Sequence, residues 1–295
     1  MELHSESQTS KKPPWLKVRF PSHKNFFYIS KLLKEKNIHT ICQSAKCPNI
    51  SKCWSQKTAT FLILGDTCTR NCGFCAVKKG VPTSSLSNES TQVAEAVSLM
   101  GLNYVVITSV TRDDMEDGGA RLFAETISKI KATSPQAKVE ALIPDFNGNT
   151  AALQTVIETH PDILNHNLEV PAVLYPLINR PMDFYDRSLG ILKTAAKKGM
   201  VTKSGLMLGL GEKMEDILQT FSDFRQALCE LLTIGQYLQP TQKHIPVQKY
   251  YSPLEFKQLK HIALDFGFKD VVSGPLVRSS FQANKMYDSF HKNVI

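Results

Sequence analysis

The feature that most constrains the fold is a rhythm that begins at Thr60. Short β-rich runs alternate with helical stretches, each pair taking roughly the thirty residues of a βα unit. The runs are TFLIL (60–64), YVVITS (104–109), KVEAL (138–142), ILNHN (163–167), SGLMLG (204–209) and IGQYL (234–238). Between them apolar residues recur at helical spacing: Val93, Val97 and Met100; Phe123, Ile127 and Ile130; Ile217, Phe221, Phe224 and Leu228; Phe256, Leu259 and Ala263. Gly101 and Gly199 stand where helix C-termini favour a left-handed residue. Such alternation predicts a parallel sheet with right-handed crossovers. Six strands are two short of a closed eight-stranded barrel, so the expected fold is α/β, an open (β/α)6 partial TIM barrel. Its chemistry belongs at the C-terminal ends of the strands.

Cysteine placement is the second constraint. Six of the seven cysteines lie between Cys42 and Cys75, and only Cys229 stands apart. The polar start MELHSESQTSKKPPW lacks the apolar middle of a secretory signal, which makes the cytoplasm the expected location. In a reducing compartment, crowded cysteines point to metal ligation rather than disulfides. Cys68-x3-Cys72-x2-Cys75 sits on the loop after the first strand. Zinc would want four ligands, usually as two separated Cys-x2-Cys pairs, and a bacterial ferredoxin run is spaced differently. Three thiolates on a four-iron cubane leave one iron open to chemistry. The polar neighbours Thr69, Arg70 and Asn71 argue against three cysteines packed as small hydrophobes.

A second triad, Cys42-x4-Cys47-x5-Cys53, raises the same question with no fourth thiol nearby. Cys229, within FSDFRQALCELL, reads as an ordinary, partly buried thiol. The remaining position belongs to another residue type or is vacant.

The Cys68–Cys75 loop resembles the signature of the radical S-adenosylmethionine superfamily, Cys-x3-Cys-x-aromatic-Cys, with Phe74 as the aromatic. That resemblance implies a cluster whose open iron is chelated by S-adenosylmethionine, and cleavage of the latter to a 5′-deoxyadenosyl radical. Near the other end, VSGPLVRSSFQA (272–283) together with the upstream triad resembles the lipoyl synthase family. There the second serine of an Arg-Ser-Ser-Tyr motif completes an auxiliary cluster. Ser280 of Arg278-Ser279-Ser280-Phe281 inherits that role, with phenylalanine replacing the usual tyrosine. Supporting stretches are PPWLKVRFP (13–21), SVTRDDMEDGGA (109–120), HNLEVP (166–171), KSGLMLGLGE (203–212) and GQYLQPTQKHIPV (235–247).

The resemblance implies two 4Fe–4S clusters, on Cys68, Cys72 and Cys75 and on Cys42, Cys47, Cys53 and Ser280. The second is the sulfur donor and is consumed. It implies a sulfurtransferase that inserts two sulfur atoms, at carbons 6 and 8, into an octanoyl group on a lysine of a carrier domain. Such carriers are 2-oxoacid dehydrogenase subunits and the glycine cleavage carrier protein. A reductant such as ferredoxin or flavodoxin and a cluster-repair carrier are further expected partners. By similarity to biotin synthase, Asn167 and Glu169 meet the ribose of S-adenosylmethionine and Arg187 its carboxylate. Ser109 and Thr111 fit the amino group, whereas Asp113 and Asp114 fit a helix start equally well. The glycines of GLMLGLGE suit either close approach to adenine or a tight strand-to-helix turn. His166 and His244 read as structural.

The expected organisation is a flexible tail (1–12), an N-terminal extension (13–58), the partial barrel (59–268) and a C-terminal segment (269–295). The +8 net charge is scattered without interleaved aromatics, so neither nucleic acid nor a membrane is an expected partner; it suits capture of an acidic carrier. Two other readings fit in part. A different radical enzyme with an auxiliary cluster, a methylthiotransferase or a maturase, usually lacks the upstream triad at this spacing. A non-enzymatic iron–sulfur carrier needs neither six βα units nor an open iron.

Overall fold

The computed structural model describes residues 12–18, 20–83 and 86–294. The expected tail at 1–12 lies, apart from Lys12, outside the described residues. The strands are β1 (His39–Thr40), β2 (Thr60–Ile63), β3 (Thr67–Cys68), β4 (Lys78–Lys79), β5 (Tyr104–Ser109), β6 (Lys138–Leu142), β7 (Ile163–Asn165), β8 (Thr202–Leu208), β9 (Leu231–Gln236) and β10 (Asp270–Gly274). The helices are α1 (Lys24–Glu35), α2 (Ile41–Ser44), α3 (Ile50–Ser55), α4 (Glu89–Met100), α5 (Ala120–Thr133), α6 (Thr150–Ile157), α7 (Asp183–Lys197), α8 (Met214–Gln226), α9 (Pro253–Asp265) and α10 (Ala283–Val294).

All six expected strands form, and they pair in parallel in the order β2-β5-β6-β7-β8-β9. Two edge strands join them. β10 extends the parallel sheet past β9, and β1 runs antiparallel to β2, pairing His39 with Leu62 and Thr40 with Phe61. Among the described residues β1 and β10 do not pair with each other, so the barrel stays open. Neither was legible beforehand: β1 has two residues, and β10 lies in a stretch read only as the approach to RSS. Boundaries also shift. β2 ends at Ile63 because Leu64 adopts a left-handed backbone, and β8 and β9 begin two and three residues earlier than expected, at Thr202 and Leu231.

Helices form where an apolar stripe meets a start or stop signal. Ser252 and Glu255 exchange reciprocal hydrogen bonds ahead of Pro253 to open α9, a cap worth about 1 kcal/mol. Gly101 closes α4 and Gly199 follows α7, both at positive φ. One apolar layer lies between β2, β5, β6 and α4–α6, with Phe61, Val97, Phe123, Ile127 and Val156 fully buried. A second, containing Phe221, Phe224, Phe256 and Leu259, lies between β8, β9 and α8, α9. Met286 and Phe290 of α10 meet Ile163 and Leu231 and cap the N-terminal floor of the barrel.

Two expectations near α8 are corrected. The helix ends at Gln226, so Leu228 does not share its stripe; it has a left-handed backbone and is 45% exposed. Cys229 is not partly but wholly buried, in the turn into β9.

Candidate metal centres and cofactor cleft

The Cys68–Cys75 loop and the cofactor candidates gather where the loops after β2, β5, β6 and β7 emerge, whereas the second triad lies by Thr60 at the start of β2. The loop carrying Cys68, Cys72 and Cys75 is anchored on several sides. Thr69 N–H donates to Thr111 O at 3.1 Å, Gly73 N–H to Ile178 O at 2.9 Å, and Gly80 N–H to Cys68 O at 3.0 Å. A β-carbon on Gly73 would lie 2.8 Å from Ile245 Cδ1, so a larger residue there would have to displace that side chain. Arg70 forks onto two carboxylates, Asp113 at 2.7 and 2.8 Å and Asp145 at 2.9 and 2.6 Å. These charge-assisted pairs tie the loop to the turns after β5 and β6.

Donors surround the sulfurs. Thr111 N–H points at Cys68 Sγ and Arg180 Nε–H at Cys72 Sγ, each at 3.4 Å, while Val77 N–H favours the Cys75 thiolate. The Arg180 guanidinium also stacks over Phe74, 5.5 Å from the ring centre. Burial works against its charge, but Cys72 and Glu169 outweigh that and keep it firmly protonated. Burial pushes the Cys75 thiol up to about 11, and Cys72 and Cys68 add to the shift.

The second triad is built by the N-terminal extension. Thr40 caps α2, which carries Cys42, and α3 carries Cys53. Cys47 N–H donates to Cys42 O at 2.9 Å and Cys53 N–H to Asn49 O at 2.8 Å. Trp54, stacked against Phe26 at 5.2 Å, anchors the unit in the core. Burial raises Cys42 to about 11 and Cys53 to about 12, and within the triad each is raised further by its neighbours.

The Arg278–Phe281 tract lies across this second site. Thr60 Oγ1 donates to Ser280 Oγ at 2.7 Å, and the Thr60 N–H favours the Cys42 thiolate. Asn49 Nδ2 donates to Leu276 O at 2.5 Å, and Arg278 lies close enough to Cys47 to favour its thiolate. Lys52 sits 5.2 Å over the Phe281 ring, which therefore has a partner without needing a tyrosine hydroxyl.

The two sites meet at Asn167. Its Nδ2 donates to Ser279 Oγ at 2.6 Å and reaches Glu169 Oε1 at 3.4 Å. Both residues lie just past β7 rather than in it, with Glu169 at φ 77°. Burial raises the Glu169 carboxyl, against the pull of Arg180 and Asn167. Arg187 is bonded to Asn147 and Asp183, both at 2.9 Å, and to Asp145 at 3.5 Å. It is thus Arg180, and not Arg187, that stands beside Cys72 and Glu169. Sequence reasoning passed over Arg180, Thr60 and Ser279: INRP has no distinguishing pattern, and Thr60 reads as a strand residue.

The other candidates divide. Ser109 Oγ is buried without a partner, whereas Asp113 is paired with Arg70 and Asp114 with Arg112. GLMLGLGE forms the tight turn, in which Glu212 accepts from Gly209 N–H and Leu210 N–H. His166 bridges Ile143 O and Ser188 Oγ, both at 2.9 Å, and His244 bridges Thr241 Oγ1 and Cys75 O.

The residues fit iron–sulfur clusters and a polar nucleoside. Among the described residues no three His, Cys, Asp or Glu side chains close on a single metal ion. Cys42, Cys53 and Cys75, raised by burial and by neighbouring cysteines, are stable as thiolates only against a large positive charge. Asn167 Oδ1 and Ser109 Oγ are buried without a partner, and the Trp54 indole N–H lies beside Cys42, where it favours the thiolate.

Residues 62–224 match the Radical SAM superfamily, and residues 2–47 match the N-terminal domain of lipoyl synthase of the Radical SAM family. A lipoyl synthase of Caldicellulosiruptor saccharolyticus is 51% identical over 278 residues, covering 94% of this chain and 97% of that protein. One of Shouchella clausii is 47% identical over 99% of this chain and 96% of its own length. In structure the chain is similar to the FeFe-hydrogenase maturase HydG from Carboxydothermus hydrogenoformans (TM-score 0.55, 13% identity, 90% of this chain and 77% of that one), a likeness of fold. Both relatives cover nearly the full length, and both halves of the site occur at the expected spacing: the chain belongs to the lipoyl synthase family of radical S-adenosylmethionine enzymes.

Proposed function

We propose that this sulfurtransferase holds one 4Fe–4S cluster on Cys68, Cys72 and Cys75 and a second on Cys42, Cys47, Cys53 and Ser280. Its reaction converts the octanoyl-lysine of a carrier protein to lipoyl-lysine by placing sulfur at carbons 6 and 8. The observation that carries this reading is the Thr60–Ser280 contact. It places the serine of a distant C-terminal motif against the residue that also touches Cys42.

When bound, the first cluster with S-adenosylmethionine supplies a 5′-deoxyadenosyl radical able to take hydrogen from an unactivated carbon, and the second supplies sulfur. The chain's own residues do the positioning. Thr111 N–H and the Arg180 guanidinium stabilise negative charge on the sulfurs of Cys68 and Cys72, and Phe74 packs beneath Arg180. Asn167 offers a free carbonyl oxygen and Glu169 a carboxylate to the ribose diol; Ser109 offers a hydroxyl to the amino group. Arg187 borders the cleft through Asp145 and serves the carboxylate end. Ser280 would hold the second cluster through an oxygen, a harder and more readily released ligand than a thiolate, and the Thr60 hydroxyl beside it would donate to that oxygen.

The functional divisions are 13–58, 59–268 and 269–295, with the first and last enclosing the second cluster. Octanoylated carriers are the substrates; 2-oxoacid dehydrogenase subunits and the glycine cleavage carrier protein are the specific ones proposed. Ferredoxin or flavodoxin supplies electrons, and an iron–sulfur carrier rebuilds the second cluster. The expected setting is the cytoplasm; among the described residues no helix is long and apolar enough to cross a membrane.

The test is anaerobic incubation of reconstituted protein with reductant, S-adenosylmethionine and an octanoyl-lysine peptide. The account expects 5′-deoxyadenosine and a peptide carrying two added sulfurs. Deoxyadenosine with an unchanged peptide, under conditions where the second cluster is present, would refute it.

A further inference from the structure

The two serines of the RSS tract face different sites. Ser280 accepts from Thr60 on β2, beside Cys42. Ser279 accepts from Asn167, just past β7, at 2.6 Å. The tract is pinned on a third side by Arg278 Nη1, which donates to Gln236 O at the end of β9 at 3.1 Å. It therefore runs from the end of β9, past Asn167, to the start of β2.

The Asn167 amide has two ends, and the bond to Ser279 fixes which way they are turned. Its NH2 group lies between two acceptors, Ser279 Oγ and Glu169 Oε1. Its Oδ1 is buried and unpartnered. The alternative amide orientation would point Oδ1 at the Glu169 carboxylate and present a donor where the ribose needs an acceptor. Both side chains pack against the bare backbone of Gly205. A β-carbon at Gly205 would sit 2.7 Å from Asn167 Oδ1, 2.9 Å from Ser279 Oγ and 3.0 Å from Thr233 Oγ1.

We propose that Ser279 is a positioning residue that fixes the Asn167 amide for a ribose hydroxyl of S-adenosylmethionine, and so joins the cofactor cleft to the tract that carries Ser280. This rests on the reading that Asn167 meets the cofactor. By reciprocity of linked equilibria, cofactor binding and the placement of the tract favour each other.

The experiment is equilibrium dialysis of S-adenosylmethionine against anaerobically reconstituted full-length protein, with iron counted in the same samples. Ser279→Ala is expected to retain wild-type iron and to bind about three- to tenfold more weakly, the loss of one neutral hydrogen bond. In an Asn167→Ala background the same change should have no further effect. Additive losses, or unchanged affinity in Ser279→Ala, would overturn the proposal. Unchanged affinity in Asn167→Ala would instead overturn the placement of the cofactor at Asn167, a distinct failure. Should Ser279→Ala not keep its iron, Ser279→Thr, which retains the hydroxyl, is the deciding variant. It is expected to bind as wild type, and weakened binding with full iron would refute the assignment.

Discussion

Lys203→Met tests the polar centre of the barrel. Lys203 Nζ donates to Glu140 Oε1 at 2.9 Å and to Oε2 at 3.1 Å, and neither side chain has any solvent exposure. Asn165 Nδ2 and Tyr104 Oη each donate to the same carboxylate at 2.7 Å. Methionine nearly conserves volume and removes the single positive charge of this group. The carboxylate keeps two neutral donors but stays in a site closed to water, which sets the cost at about 3–5 kcal/mol, toward the lower end. Glu140→Gln leaves the ammonium unpaired and should cost a similar amount. The double variant removes both charges and is expected to recover most of the loss, a coupling of at least about 2 kcal/mol. The assay is urea unfolding of the metal-free, reduced protein, since bound clusters would spoil a two-state treatment. Strictly additive losses, or Lys203→Met within about 1 kcal/mol of wild type, would refute the reasoning.

Gly205→Ala should weaken S-adenosylmethionine binding without loss of iron, because the new methyl would meet Asn167 and Ser279 within 3 Å; overpacking of about 1–3 kcal/mol corresponds to roughly five- to 150-fold in dialysis. Cys229→Ala should leave iron and sulfide per chain unchanged, since Cys229 lies in the core away from both triads. Burial holds the Cys229 thiol at about 12, above its unfolded value, so folding keeps a proton that the unfolded chain loses first; its share of stability is full below about pH 8.5 and lost as pH rises toward 12. Alkaline unfolding over that window should therefore be shallower in the alanine variant, and identical curves would contradict the assignment. Arg180→Met should shift the reduction potential of the Cys68–Cys75 cluster downward in an EPR-monitored titration, as a positive charge and an N–H donor to Cys72 are lost.

The alternation after Thr60 announced the six central strands because each carries a short β-rich apolar run, even where polar residues such as Glu140, Asn165 and Lys203 interrupt it. β10 and β1 were not legible, since their pairing is decided by neighbours already in place. The grouping of the cysteines was plain from spacing, but a role for the second triad, whose Cys42 and Cys53 stand on different helices, came only through resemblance. Ser280 was reachable only through resemblance, for 220 residues separate it from the Thr60 hydroxyl it accepts from. Arg180 shows the complementary limit. Its importance lies in enclosure beside Cys72 and Glu169, a property of the folded loop after β7, while Arg187 on α7 carried the recognisable local pattern. Cys229 looked like one more member of an amphipathic helix, but a left-handed turn at Leu228 ends that periodicity and sends the thiol inward.

The central claim is that the Cys42, Cys47, Cys53 and Ser280 site gives up its own sulfur. Reconstitution with heavy-isotope sulfide, removal of free sulfide, and a single turnover with an octanoyl-lysine peptide would test it most directly. The account predicts that both sulfurs in each lipoyl product are heavy and that Ser280→Ala, with its first cluster intact, yields deoxyadenosine but little product. Unlabelled sulfur in the product of the wild-type chain would contradict it.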